Sequence, residues 1–217
     1  MKMNSHSCKS GGAKMPKSTF YNLDQKKRDR IIEAAIDEFA TNSFHKASIT
    51  NIIKNAEIAS GSFYQYFDGK EDLYIHLLDI IVERKLEYID QVVMNNPNDL
   101  NFFNFLEKLY RGGIEFAKEN PRLISIGKNL MNNNCEVCKK IREQQKPQSE
   151  RFFKKILEQA IEAGDVKEEI DPELTAKFLT SINYSLSDFI YTEDGLNENV
   201  MDTINELIDI IENGIKN

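Results

Sequence analysis

The 217-residue sequence has no long hydrophobic run and few cysteines, and each shortage excludes a class of protein. No apolar stretch approaches the roughly 18 residues that a membrane-spanning helix requires. The N-terminus has no apolar centre of the kind that a secretory signal carries. The three cysteines lack the spacing of a disulfide-rich domain, which is typical of proteins in a reducing cytoplasm. We therefore expect a cytoplasmic protein that does not contact the membrane.

The sequence also lacks the residue patterns of common catalytic centres. It has no glycine-rich phosphate loop, no Ser/His/Asp set and no paired catalytic carboxylates, and its three histidines are scattered. A zinc site requires four ligands, whereas Cys135 and Cys138 have only Cys8 as a further thiol. We expect neither an enzyme nor a bound metal or cofactor.

Charge is distributed unevenly along the chain. Residues 1–70 carry 11 Lys and Arg against 7 Asp and Glu, a net charge of +4. Residues 71–217 carry 17 against 28, a net charge of −11. A basic N-terminal part on an acidic remainder is the asymmetry expected when one end of a protein approaches phosphate groups.

Two short helices joined by a tight turn are predicted between Ser48 and Lys70. Ser48 is suited to cap the first helix, since its hydroxyl can accept a hydrogen bond from a backbone N–H of the first turn. Phe63 and Phe67 are four residues apart in the second helix and can share its inward face. The apolar positions of the first helix recur at i, i+3, i+4 and i+7: Ile49, Ile52, Ile53 and Ala56. This pattern favours a helix-turn-helix, whose second helix enters a groove of DNA.

The rest of the chain is predicted to be helical as well. A helix over residues 24–41 carries an inward stripe of Ile32, Ala35, Ile36 and Phe39. A long helix is expected from Lys70 to about Met94. Further helices are predicted at about 102–120 with a break at the Gly112-Gly113 pair, 121–131, 135–145, 153–164, 172–192 and 199–213, and no strand is expected. Pro147 either interrupts the helix at 135–145 or starts the next one.

The pattern predicts an all-α fold in three parts. Residues 1–19 are rich in Ser, Gly and Lys and are expected to form a disordered extension. Its lysines, Lys17 among them, are candidates for a basic arm that reaches into the minor groove, and Met15 is a second candidate start of the natural chain. Residues 20–70 are assigned to the three-helix DNA-binding domain, and residues 71–217 to a helical ligand-binding and dimerisation domain.

Several segments together resemble the N-terminal DNA-binding domain of the TetR family of bacterial transcriptional regulators. They are I-I-E-A-A-I-D-E-F-A from Ile31, S-I-T-N-I-I-K-N-A from Ser48, S-G-S-F-Y-Q-Y-F from Ser60 and K-E-D-L-Y from Lys70. The similarity covers about fifty residues without a gap, and the remaining two thirds of the chain resembles the family only in its architecture. The sequence departs from the family pattern at Ser43, Glu57, Ala59, Ser60 and Gly69. Because a left-handed backbone is harder for Glu than for Gly, the turn at Glu57 is expected to be strained or differently shaped.

The resemblance implies a DNA-binding surface around the second short helix. Gln65 is expected to read adenine through its amide, whereas Ser48, Tyr64 and Lys70 are expected to contact phosphates and to position the protein. Gly61 would let the two backbones approach closely. The full set of expected DNA-binding residues is Ser48, Ala59, Ser60, Gly61, Ser62, Tyr64, Gln65 and Lys70.

The resemblance also implies a homodimer and a small, largely apolar effector. The last two helices would pair with their symmetry mates through Leu179, Ile182, Leu186, Phe189, Ile204, Leu207, Ile208 and Ile211. Two DNA-reading helices would then meet half-sites of a double-stranded operator about one turn apart. The alternative is a monomer in which these stripes are all core. Candidates for the effector site are the aromatic and Met residues that line apolar cavities in proteins, each with plain core packing as its alternative: Phe102, Phe103, Phe105, Tyr110, Phe116, Met131, Phe152 and Tyr184.

These features together predict a repressor that leaves its operator when the effector binds. Two alternatives stay open at this point. Cys135 and Cys138 could make the protein a thiol- or metal-responsive regulator. The C-terminal part could instead bind a protein partner, which would make the chain a DNA-anchored adaptor.

Overall fold

The computed structural model describes residues 16–94, 101–192, 195–197 and 199–216. The all-α class is confirmed. The helices are α1 (Ser18–Tyr21), α2 (Gln25–Thr41), α3 (Ile49–Asn55), α4 (Ser60–Tyr66), α5 (Lys70–Met94), α6 (Phe102–Glu119), α7 (Pro121–Asn132), α8 (Glu136–Glu162), α9 (Pro172–Ile190) and α10 (Val200–Ile215). Two strands of two residues each, β1 (Tyr191–Thr192) and β2 (Gly195–Leu196), form a small antiparallel hairpin between α9 and α10. The expectation of no strand was wrong here, because such short strands carry no alternating pattern. None of the described helices is long and apolar enough to cross a membrane.

The helix starts follow the polar caps in the sequence. The Asp24 carboxylate accepts a hydrogen bond from the Lys27 N–H at 3.0 Å where α2 begins. The Asp171 carboxylate accepts from the backbone N–H groups of the two residues after Pro172, at 2.8 and 3.2 Å, where α9 begins. Gly164 follows α8 with a φ of 81°, the left-handed conformation predicted for a glycine just beyond a helix.

Two predicted helix breaks are absent. The helix α6 runs unbroken through the Gly112-Gly113 pair, and a Cβ added at Gly112 would lie 3.2 Å from Ile89, so this glycine lets the end of α5 pack closely against α6. The helix α8 continues through Pro147. Glu143 and Pro147 are both exposed, so water can satisfy the carbonyl that loses its partner to the missing proline N–H.

The chain divides into two compact units. The head unit comprises the described residues up to Arg84 together with Asn120–Arg142, and the body unit comprises Lys85–Glu119 and the described residues from Glu143 onward. The head unit therefore contains α7 and the first turns of α8 in addition to the predicted helix-turn-helix.

Within the head unit, α7 packs on α2. The Arg122 guanidinium bonds the carboxylates of Glu33, at 3.1 Å, and Asp37. The Asn129 side chain donates to the Phe39 carbonyl at 3.4 Å, and the Tyr74 hydroxyl of α5 donates to the Ile126 carbonyl at 3.4 Å. The inward stripe predicted for α2 is confirmed: Ile32, Ala35, Ile36 and Phe39 are all buried.

The body unit has one apolar core. Residues of α6, α8, α9 and α10 form it, with Leu106, Leu157 and Ile204 fully buried. An isolated bridge between Val166 and Lys216 connects the loop after α8 to the residue after α10. The core includes several residues predicted as effector or interface contacts, which are considered below.

The predicted disordered extension of residues 1–19 was too long. Residues 16–19 are ordered, because Phe20 is buried against Phe67 with ring centroids 5.0 Å apart and the Lys17 N–H donates to the Tyr66 carbonyl at 2.9 Å. Residues 1–15 lie outside the described part of the chain.

Candidate DNA-binding surface

A buried carboxylate holds the start of α3. Glu38 is 6% exposed, and its two oxygens accept hydrogen bonds from the Ser48 N–H at 2.8 Å and from the Asn51 side chain at 3.2 Å. The Ser48 hydroxyl in turn accepts from the Asn51 N–H at 3.4 Å, which confirms the predicted cap. Both carboxylate oxygens of Glu38 are thus used to fix the angle at which α3 leaves the loop. The sequence analysis missed Glu38, since a single acid on an apolar helix face has no distinctive spacing.

The turn between α3 and α4 contains the backbone strain that was predicted for it. Glu57 has a φ of 53°, in the left-handed region that favours glycine. Its carboxylate lies 3.2 Å from the Arg30 guanidinium, but both side chains are largely exposed, so this ion pair contributes little.

Replacing Glu57 with Gly should raise the free energy of unfolding by about 0.5–1 kcal/mol. The left-handed cost of a Cβ is removed, although part of the gain is lost to the greater freedom of Gly in the unfolded chain. Chemical denaturation of Glu57→Gly and Glu57→Ala gives the measurement, because the Ala variant loses the same ion pair but keeps the Cβ. Equal stabilisation by Ala would show that the backbone conformation is not what costs stability here.

The recognition helix α4 has one buried and one exposed face. Phe63, Tyr66 and Phe67 are at most 5% exposed and anchor the helix to the head unit. No side chain caps its N-terminus at Ala59, as expected from the departure there. The opposite face, together with the residue before the helix, is open to solvent: Ala59, Ser60, Gly61, Tyr64 and Gln65 are exposed, and Ser62 is partly exposed.

The C-terminal end of α4 is held by Lys17, the residue before α1, and by Thr19 within α1. The Lys17 ammonium donates to the Tyr64 carbonyl at 2.8 Å and lies 2.9 Å from the Asp68 carboxylate, and the Thr19 hydroxyl donates to the Gln65 carbonyl. A cation at a helix C-terminus also interacts favourably with the helix dipole. Lys17 therefore positions α4, and its contacts do not favour the alternative in which it belongs to a basic arm in the minor groove.

Lys70 is engaged within the protein. Its ammonium donates to the carbonyls of His45 at 3.2 Å and Ala47 at 2.9 Å, and lies 4.9 Å from the centre of the Phe44 ring. These contacts tie the first residue of α5 to the loop that leads into α3. The structure thus gives Lys70 a positioning role, and a phosphate contact would have to use the remaining N–H of its ammonium group.

The predicted DNA-binding residues are thus brought together by the fold. Six of the eight are on α4 or directly before it, Ser48 is at the start of α3, and Lys70 is at the start of α5. The amide of Gln65, the phenol of Tyr64, which is 54% exposed, and the Cβ-free Gly61 are offered to solvent. A rigid, short helix with a polar outward face is able to enter a groove.

Two titratable groups on α5 lie in the head unit behind this surface. Burial lowers the pKa of His76 to about 4. Burial, and then the nearby charge of Glu83, raise the pKa of Asp79 to about 6. A raised pKa means that the charged form of Asp79 opposes folding above about pH 6, and that this cost disappears as the pH falls through the folded pKa towards the unfolded one.

An Asp79→Asn variant should therefore be more stable than the parent by about 1–2 kcal/mol at pH 8, after a discount for partial access of water. The gain should shrink below pH 6 and largely vanish near pH 4. Chemical denaturation at a series of pH values measures it, and the difference from the parent at each pH cancels the titration of His76. A gain that does not change with pH would contradict the assignment.

The effector candidates divide between the two units. Phe102, Phe103 and Tyr110 belong to the body core, Phe152 packs against it, and Phe116 is buried beside the Tyr88 ring. Phe105 and Tyr184 are partly buried in the same unit, whereas Met131 belongs to the head unit. Among the described residues, the buried hydroxyls of Tyr110 and Thr180 have no hydrogen-bond partner, which is costly in an apolar surrounding. Burial also raises the pKa of Tyr110 to about 12.

Most of the predicted interface residues belong to the core of one protomer. Those buried there are Leu179, Leu186, Ile204, Ile208 and Ile211, which leaves them little surface for a partner. Ile182 and Leu207 are partly buried, and the Phe189 side chain lies outside the described residues. Among the described side chains, the large apolar ones that the two helices expose are instead Leu174 and Phe178 on α9 and Ile210 on α10, at 66, 62 and 71%. The five buried residues are therefore placed as core of one protomer, since an apolar stripe does not distinguish core from interface.

Comparison with known proteins shows similarity over most of the chain. Residues 31–77 match the family model described as bacterial regulatory proteins of the tetR family. A TetR family transcriptional regulator from Chloroflexus aurantiacus is 31% identical with a TM-score of 0.64, and the alignment covers 94% of this chain and all of that one. The fatty acid metabolism regulator protein of Bacillus subtilis is 24% identical over 87% of this chain and 95% of its own. The fatty acid degradation regulator FadR of Bacillus halodurans is 22% identical with a TM-score of 0.64, covering 87% and 99%, and shares the fold.

Proposed function

The chain belongs to the TetR family of bacterial transcriptional regulators, and from that premise we propose a repressor that binds a palindromic operator as a homodimer. We propose that the repressor leaves its operator when a small, largely apolar effector binds the body unit. DNA binding is expected to use the exposed face of α4. The observation that carries the proposal is that one side of α4 is buried while the other side is exposed. Because Phe63 and Phe67 fix the helix to the head unit, Tyr64 and Gln65 are held in place on its exposed side.

The homodimer is proposed to form through the exposed apolar side chains of α9 and α10. Leu174 and Phe178 are four residues apart on α9 and so lie on one face of the helix. Ile210 adds a further exposed apolar side chain on α10. The two helices are in contact, so these side chains offer apolar surface that a second copy of the chain would bury. A symmetric pair supplies the two recognition helices that a palindrome requires.

The effector is proposed to bind among the aromatic residues of the body unit. Apolar side chains would surround most of it, and the unpartnered hydroxyls of Tyr110 and Thr180 would be satisfied by a polar group that it carries. Fatty acyl compounds are the first class to test, because a similar protein of B. subtilis is named for fatty acid metabolism. The helix α5 runs through both units, so a change in its body portion can reach the head.

Binding of the purified protein to DNA upstream of its own and neighbouring genes tests this function. We expect a protected palindrome whose half-sites are about one turn of DNA apart, with an affinity of about 10⁻⁸ M or better at physiological salt. Gln65→Ala should relax the preference at one base pair of each half-site, by about 1–3 kcal/mol. Binding that shows no preference among sequences would overturn the proposal. A series of fatty acyl compounds then tests the effector separately, since release of DNA is expected only from the correct class.

A further inference from the structure

We propose that Cys135 and Cys138 form a reversible thiol–disulfide site that reports oxidation by peroxides to the DNA-reading head unit. The two residues are joined by a disulfide, with their Cα atoms 5.2 Å apart, within the range that a disulfide spans without backbone movement. The composition had predicted reduced cysteines, because a single short pair does not resemble a disulfide framework. Nothing in the proposed effector mechanism uses this pair.

The disulfide between Cys135 and Cys138 is expected to add little to the stability of the fold. A disulfide stabilises a fold mainly by closing a loop in the unfolded chain, and the gain is smaller when the loop is shorter. Here the cysteines are three positions apart, with only two residues between them. So short a loop in a 217-residue chain with a large apolar core is better suited to switching between two oxidation states than to holding the fold together.

The two sulfurs differ in their surroundings. Cys135 directly precedes the first residue of α8 and is 8% exposed, whereas Cys138 is fully buried. The Cys138 N–H donates to the Cys135 sulfur at 3.1 Å, and an N–H of a first helical turn stabilises negative charge on that sulfur. Cys135 is therefore the sulfur that a small oxidant reaches, and Cys138 is the one that completes the bond.

The chemistry balances with a hydroperoxide as the oxidant. The Cys135 thiolate attacks the peroxide, the O–O bond breaks, an alcohol or water leaves, and a sulfenic acid forms on Cys135. The Cys138 thiol then attacks that sulfur, the S–S bond forms, and the hydroxyl group leaves as water. The two thiols lose two electrons and two protons in all, and a low-molecular-weight thiol reverses the change by exchange.

The contacts around the pair lead to the helix-turn-helix within one compact unit. The Cys135 N–H donates to the Asn133 side chain at 3.1 Å in the loop between α7 and α8. One turn beyond Cys138, the Arg142 guanidinium donates to the carbonyls of Leu130, Met131 and Asn133 and so closes the end of α7. The α7 helix in turn packs on α2, as described above.

A second path is shorter. The Lys140 ammonium, two residues after Cys138, lies 2.8 Å from the Glu71 carboxylate at the start of α5. Glu71 is next to Lys70, which holds the loop before α3. A change in the first turn of α8 can therefore reach the helix-turn-helix by two routes. One runs through α7 to α2, and the other runs through the Lys140–Glu71 ion pair to Lys70. Among the described residues no group of three or more metal-ligating side chains is found, so the geometry favours oxidation over metal binding.

The test compares the full-length protein after reduction with dithiothreitol and after a pulse of hydrogen peroxide, with each reagent removed. Oxidation should consume two of the three thiols without crosslinking chains. The affinity for the operator fragment should then differ by about fivefold or more between the two states. Amide hydrogen exchange in α7 and α2 should also differ, and this readout does not depend on DNA.

The cysteine variants decide the assignment. Cys135→Ser and Cys138→Ser should each abolish both differences, and Cys8→Ser should keep them. Equal operator affinity and equal α7 exchange in the two states of the parent protein would overturn the proposal. So would loss of the differences in Cys8→Ser, because the responsive thiol would then lie outside the pair. If neither state binds DNA, the proposed function fails, while the exchange difference still supports or rejects the switch.

Discussion

A Phe178→Asp substitution is expected to convert the protein to monomers and to weaken operator binding by about a hundredfold or more. Phe178 is 62% exposed on α9, one turn from the equally exposed Leu174. An unpaired carboxylate buried between two protomers costs several kcal/mol, whereas the same carboxylate on a free surface costs little. Loss of the dimer removes one of two recognition helices, and the remaining one contacts a single half-site.

Sedimentation or light scattering measures the first effect, and titration of an operator fragment measures the second. Val82→Asp is the matched control, because Val82 is also an exposed apolar residue, at 39%, but lies on α5 in the head unit. The control should remain dimeric. A folded Phe178→Asp variant that stays dimeric would contradict the proposed interface at Leu174, Phe178 and Ile210. The dimer would then form through another surface.

The local features of the head unit were predictable because short-range signals specify them. Ser48 and Asp24 cap helices through side chains that the sequence places at the right positions. The strain at Glu57 follows from the mismatch between residue type and the turn expected there. Phe63 and Phe67 are buried because they recur at helical spacing beside polar neighbours.

What could not be predicted depends on contacts between distant parts of the sequence. The packing of α7 on α2 brings Arg122 to Glu33, and no local pattern signals that pairing. Lys70 was expected to contact phosphate and Lys17 was a candidate for a basic arm, yet both bind backbone carbonyls of the protein. Periodicity shows that one side of a helix is apolar. It does not show whether that side faces the same chain or a second copy. Ile204 and Leu179, predicted at the interface, are buried in the core of one protomer for that reason.

Pro147 illustrates a third kind of limit. A proline within a helix is usually unfavourable, so a break was the reasonable expectation. The structure shows α8 continuing through it, because the unpaired carbonyl is on an exposed part of the helix surface. Whether a proline ends a helix thus depends on how exposed the unpaired carbonyl is in the folded protein. That exposure is set by tertiary packing and cannot be read from the local sequence.

A Gly61→Ala substitution should make the protein more stable and a weaker DNA binder at the same time. Gly61 lies in α4, and a Cβ added there would meet nothing within 4 Å. Ala should therefore stabilise the helix by about 0.5–1 kcal/mol. If the residue is glycine so that a DNA backbone can approach closely, the added methyl group should reduce operator affinity by about tenfold or more.

Gly127→Ala separates the two effects. Gly127 is in α7 of the same head unit and also has open space around an added Cβ, but it is not on the recognition helix. Denaturation should show a similar gain in stability for both variants, and operator titration should show a loss for Gly61→Ala alone. Undiminished affinity in Gly61→Ala would mean that α4 does not lie close to DNA at this position. Because that variant is expected to fold better than its parent, a loss of binding could not be attributed to unfolding of the head.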